Sequence, residues 1–132
     1  MEADAEIFSN EASHSGGGLA VGADAGLTFP TITLRENAEI YSNTAANGNG
    51  GGVYMPGGNF TMLGAKIYNN KALDASSPKK YDNTAGNGGG VSVTQGTFSA
   101  DATSSVYENE CDNWGGGVFV NGNQPVKFNG GN

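Results

Sequence analysis

Few residues in this chain are suited to carry out a reaction. His14 is the single histidine and Cys111 the single cysteine. A thiol nucleophile with an imidazole base needs the two side chains within about 3 Å of each other. A zinc centre needs several His or Cys ligands at short spacing, and the chain has neither type twice. Phosphate-cradling loops of the GK[ST] kind do not occur, and Arg35 is the only arginine. Calcium-binding repeats need Asp at regular places after glycine, where this chain has Asn49, Asn87 and Gly89. The inventory points away from catalysis and implies no cofactor and no metal. Cys111 instead aligns with Ala12, Ala45 and Ala72 as a small interior residue.

Two sets of side chains recur with more regularity. Phe8, Tyr41, Tyr68 and Tyr107 each stand one residue after an aliphatic residue and two before Asn10, Asn43, Asn70 and Asn109. The aromatics form a candidate ligand-binding stripe, since aromatic surfaces with polar neighbours suit sugar rings or a protein partner. The alternative is that they stack on one another and stiffen a sheet. The asparagines form a candidate structural ladder, with each amide bonding the amides above and below. Tyr81-Asp82-Asn83 repeats the same pattern, so Asn70 or Asn83 could be the third member. Two residues before each Asn-preceding aromatic stand Glu6, Glu39, Lys66 and Ser105. Stacked, these make a surface charge pair between Glu39 and Lys66 rather than an acid–base couple.

These side chains must be positioned by a repeating framework. AEIFSNEA, AEIYSNTA, AKIYNNKA and SSVYENEC start at residues 5, 38, 65 and 104. Each is followed by a glycine triplet and an apolar-x-apolar piece: GGGLAV, GGGVYM, GGGVSV and GGGVFV. A third such piece follows at Leu27–Phe29, Phe60–Met62, Phe98–Ala100 and Val126–Phe128. Alternation within each piece gives a half-buried strand. One unit cannot bury its apolar face alone, but stacked units can. Parallel neighbours joined by crossovers take the right-handed path. The expected fold is an all-β, right-handed single-stranded parallel β-helix, a single domain over 1–132. It should have about four coils of three short strands, at 5–37, 38–64, 65–103 and 104–132. Insertions fall at 35–37 with the residues before it, and at about 71–83, where a polar stretch with Pro78 leaves a turn.

The pairing of [IV]xxN (Ile7–Asn10, Ile40–Asn43, Ile67–Asn70, Val106–Asn109) with GGG before Leu19, Val53, Val91 and Val118 resembles bacterial surface β-helix repeats. The resemblance is to the chlamydial-type polymorphic outer-membrane proteins, with repeated GGA[ILV] and FxxN, and to autotransporter passengers. It implies a secreted or cell-surface location at the bacterial outer membrane, an adhesive or structural role, and a host-surface protein or glycan as partner. A carbohydrate-binding or polysaccharide-cleaving β-helix is the alternative, and a self-assembling filament subunit a second one. The net charge of −7 argues against a nucleic-acid partner. No stretch approaches the ~20 apolar residues of a membrane span, so no direct membrane insertion is expected. Open strand edges at both ends suit either a segment of a longer exported chain or head-to-tail self-association.

Overall fold

The computed structural model describes residues 1–22, 30–76, 78–79, 84–121 and 126–128. All regular structure among them is β-strand, numbered β1 to β16 in chain order. The chain visits four sheets in turn and then returns to the first, so each sheet collects every fourth strand. The first sheet holds β1 (Glu6–Phe8), β5 (Glu39–Tyr41), β9 (Lys66–Tyr68) and β13 (Ser105–Tyr107). The second holds β2 (Glu11–Ala12), β6 (Thr44–Ala45), β10 (Lys71–Ala72) and β14 (Glu110–Cys111). The third holds β3 (Leu19–Ala20), β7 (Val53–Met55), β11 (Val91–Val93) and β15 (Val118–Val120). The fourth holds β4 (Thr31–Leu34), β8 (Gly58–Met62), β12 (Gly96–Ala100) and β16 (Val126–Phe128). All pairings are parallel, and equivalent residues face one another: Ile7, Ile40, Ile67 and Val106 form one row.

Each round of the chain thus has four strands, where alternation alone suggested three. The added strand follows a left-handed corner. Ser9, Ser42, Asn69 and Glu108 have φ of +55°, +56°, +54° and +52°, and each separates an outward aromatic from the next asparagine. The corner breaks the period of two and begins a new two-residue strand.

Two insertion boundaries also move. Leu27–Phe29, expected as the first round's last strand, lies outside the described residues. Its row in the fourth sheet is filled by Thr31–Leu34, with Ile32 beside Phe60 and Leu34 beside Met62. Arg35–Asn37 is then no insertion but the ordinary corner into the first sheet, with the N–H of Asn37 bonding the Gly64 carbonyl at 2.9 Å. The second insertion begins later than residue 71, because Lys71 and Ala72 are paired on both sides.

The interior is a continuous apolar column. Leu34, Ile40, Val53, Met55, Phe60, Met62, Ile67, Val91, Val93 and Phe98 are fully buried. Full burial stabilises by about 1.5–3 kcal/mol for each side chain of this kind. Phe60 and Phe98 stack inside it with ring centroids 5.9 Å apart. The outer rounds cover this column only on one side, so Ile7, Leu19, Val106 and Val118 are partly buried.

The glycine triplets follow from the stacking. Gly50 has φ +66°, a conformation that costs glycine little. A Cβ on Gly51 would lie 2.4 Å from the carbonyl oxygens of Gly89 and Lys71. A Cβ on Gly52 would press on the Asn70 amide at 3.0 Å. The last glycine therefore makes room for the asparagine column.

Candidate functional site

The aromatic and asparagine rows lie on either side of the corner between the first two sheets. Inside the corner the asparagines form an unbroken ladder. Nδ2 of Asn10, Asn43 and Asn70 donates to Oδ1 of the asparagine one round on, at 3.1, 3.0 and 3.0 Å. The main-chain N–H of the same three residues donates to the same oxygens at 3.0 Å. Nδ2 of Asn43, Asn70 and Asn109 also donates to the carbonyl of Ile7, Ile40 and Ile67, each at 3.0 Å. Asn43 and Asn70 are fully buried, and this bonding is what makes a buried amide tolerable. Asn70 is the third member; Asn83 lies outside the described residues.

Outside the corner the aromatic rings stack. Phe8–Tyr41, Tyr41–Tyr68 and Tyr68–Tyr107 have centroids 5.1, 5.0 and 5.0 Å apart and planes within 4–5° of parallel. Parallel rings in contact lie about 3.5 Å apart face to face, so these are offset stacks. Each inner ring has a neighbour on both faces and turns its edge outward. Only the end rings keep an open face, and they are the exposed ones: Phe8 is 50% and Tyr107 41% accessible. A sugar stacking on ring faces would find them at the two ends and not along the stripe.

The tyrosine hydroxyls are also engaged. Tyr41 donates to Glu6 at 3.2 Å and Tyr68 to Glu39 at 2.8 Å. Lys66 Nζ donates to the other Glu39 oxygen at 2.8 Å. Lys66, and then Tyr68, hold the Glu39 carboxyl below the ordinary carboxylate range. Burial, then the bond to Glu39, pushes the Tyr68 phenol above its ordinary value. Burial and Glu6 do the same to Tyr41. Glu6 does pair with Glu39 in register, but each carboxylate is tied to a tyrosine one round on. That is the chemistry of a fixed surface network, and the Glu39 carboxyl is lowered where a general acid's would be raised.

The remaining candidates fall apart as chemistry. Ala12 and Cys111 occupy opposite edges of the second sheet, three strand spacings or about 14 Å apart, which separates His14 from Cys111. Burial, the largest influence on the thiol, pushes its pKa up, the reverse of an activated nucleophile. Asn49 and Asn87 form a second ladder. The N–H and Nδ2 of Asn87 donate to Asn49 Oδ1 at 3.0 and 2.9 Å, and the N–H of Trp114 donates to Asn87 Oδ1 at 3.1 Å. Ser15 Oγ begins it, accepting from Asn49 N–H at 3.0 Å. The signal was present in the sequence: each of these residues directly precedes a glycine triplet.

A groove of about 330 Å³ lies at the corner between the fourth and first sheets, lined by Glu2, Arg35, Glu36, Asp101 and Thr103 among others. Asp101 is spent on the corner itself. Its Oδ1 accepts from Ser104 Oγ at 2.8 Å, Thr103 Oγ1 at 3.0 Å, Thr103 N–H at 3.1 Å and Gly64 N–H at 3.2 Å. The Ser104 hydroxyl leads in holding this carboxyl below its ordinary range.

No family model, curated protein or solved structure matches the chain.

Proposed function

We propose that the chain is a right-handed parallel β-helix serving as a structural or adhesive, non-catalytic segment of a bacterial cell-surface or secreted protein. The supporting observation is the register, in which equivalent residues of successive rounds lie beside one another in every sheet. A chain that advances one strand spacing per round and joins parallel neighbours by crossovers favours the right-handed path. The polar ladders and the ring stack add stiffness along one direction, which suits a spacer or a display rod. The repeated [IV]xxN and GGG motifs support the surface location through their likeness to surface-protein repeats. Adhesive contact with a host-surface protein or glycan would use the outward side chains of the sheets.

Protease shaving of intact source bacteria tests the location. Antibody signal against the chain should be lost on shaving whole cells. Signal that survives shaving and is released only on lysis overturns the proposal. Release of reducing ends from acidic polysaccharides by the purified chain would overturn the non-catalytic part.

A further inference from the structure

The corners between the second and third sheets place asparagine directly before a glycine that the stacking requires. Three such pairs lie wholly among the described residues: Asn47-Gly48, Asn49-Gly50 and Asn87-Gly88. A Cβ on Gly48 would lie 2.5 Å from the Ser15 nitrogen. Gly50 and Gly88 have φ of +66° and +65°, which glycine adopts at little cost. An Asn-Gly pair is also chemically labile. Glycine carries no side chain to hinder its nitrogen from approaching the amide carbon of the preceding asparagine.

The three pairs are held very differently. Asn87 is fully buried. Its N–H and Nδ2 donate to Asn49 Oδ1, its Nδ2 donates also to the Ala85 carbonyl at 3.2 Å, and its Oδ1 accepts from Trp114. Asn49 is 7% accessible. Besides accepting from Asn87, it donates its N–H to Ser15 Oγ and its Nδ2 to the Thr84 carbonyl at 3.3 Å. The N–H groups of Gly50 and Gly88 donate to the carbonyls of Asn87 and Trp114, each at 2.8 Å. Asn47, in contrast, is exposed. Its Oδ1 accepts from the Ala75 N–H at 3.0 Å, and the Gly48 N–H donates to the Leu73 carbonyl at 3.0 Å.

We propose that Asn47 is a site of spontaneous deamidation, and that the second ladder protects Asn49 and Asn87 from the same reaction. The inference goes beyond the function proposed above and does not rest on it. The Gly48 nitrogen gives up its proton to hydroxide and attacks Asn47 Cγ. The new N–Cγ bond forms, the Cγ–Nδ2 bond breaks, and ammonia leaves with a proton from water. A cyclic imide remains. Water opens it at Cγ to give aspartate, or at the main-chain carbonyl to give isoaspartate. Attack requires the glycine N–H to leave its acceptor, because that bond favours the protonated nitrogen. At Asn47 this means releasing one main-chain bond and one side-chain bond at the surface, which local opening achieves. At Asn49 and Asn87 the ladder must come apart between rounds, so reaction waits for the stack to open. Aspartate at 47 keeps an acceptor for Ala75. Isoaspartate adds a carbon to the main chain and loosens that anchor.

Peptide mapping by tandem mass spectrometry tests the proposal on the 132-residue chain, incubated in mildly alkaline buffer either folded or in urea. In the folded chain Asn47 should convert at least about tenfold faster than Asn49 or Asn87, a ratio set by local opening against opening of the stack. In urea the three should convert at comparable rates. A folded chain in which Asn49 or Asn87 reacts as fast as Asn47 overturns the proposal. So does one in which all three stay intact while the chain in urea is modified. A ranking that persists unchanged in urea also overturns it, because local sequence and not the fold would then set the rates.

Discussion

Replacing Asn70 by alanine tests the ladder where it is most deeply buried. Asn70 is fully buried. Its Oδ1 accepts from the N–H and Nδ2 of Asn43, each at 3.0 Å. Its Nδ2 donates to the carbonyls of Ile40 and Tyr68 and to Asn109 Oδ1, also at 3.0 Å. The truncation orphans the Asn43 N–H, at about 1–3 kcal/mol for a buried donor. The other lost bonds add about 0.5–1.5 kcal/mol each, discounted because their partners keep a second contact. A loss of about 4 kcal/mol follows, a large share of the stability of a domain this size. Asn10→Ala at the exposed end should cost under about 1 kcal/mol by the same reasoning. Urea unfolding followed by far-ultraviolet circular dichroism measures both, with the slope unchanged. Asn70→Asp provides a pH control. An aspartate there is buried among acceptors it can satisfy only when protonated, so its folded pKa lies above the unfolded value of about 3.9. The variant's penalty should be least below about pH 4 and grow as pH rises toward the folded pKa. Equal costs for Asn70→Ala and Asn10→Ala would refute the ladder's role in holding the corner.

Three further outcomes follow from other parts of the structure. Asp101 has its folded pKa lowered, so its contribution is present above the unfolded value of about 3.9 and fades as pH falls through the folded one; the stability gap between native chain and Asp101→Asn should close in acid. Phenolate absorbance titration should find the Tyr68 phenol above its ordinary value, and Glu39→Gln should bring it down, because the carboxylate that accepts its proton loses its charge. Gly51→Ala should lose about 2–3 kcal/mol, since its Cβ meets main-chain atoms at 2.4 Å and the packing cannot give. Gly22→Ala, with open space around it, should leave the unfolding midpoint unchanged.

Much of this was legible in the sequence because like residues stack on like. Ile40 and Ile67, Val53 and Val91, and Phe60 and Phe98 occupy matching places in the repeat, and the structure pairs each of them. The asparagine and aromatic rows were legible for the same reason. What was hidden depends on a single backbone angle or on orientation. Ser42 and Asn43 are both polar, so nothing in their types marks a left-handed corner that turns one out and the other in. The strand at Thr31–Leu34 competed with a similar pattern at Leu27–Phe29. Corner length decides between them: Leu34 stands six residues before Ile40, as Ala100 does before Val106, and Phe29 stands too far away. The tyrosines could be assigned to one outward row, but not the tilt that makes them cover one another's faces.

Methyl nuclear Overhauser spectroscopy on the folded chain measures the stacking itself. Contacts should link Ile7 to Ile40, Ile40 to Ile67 and Ile67 to Val106, with none in the monomer from Ile7 to Val106, some 14 Å away at three strand spacings. Absence of the Ile40–Ile67 contact, or cross-strand Hα–Hα contacts of the antiparallel kind among these residues, would contradict it.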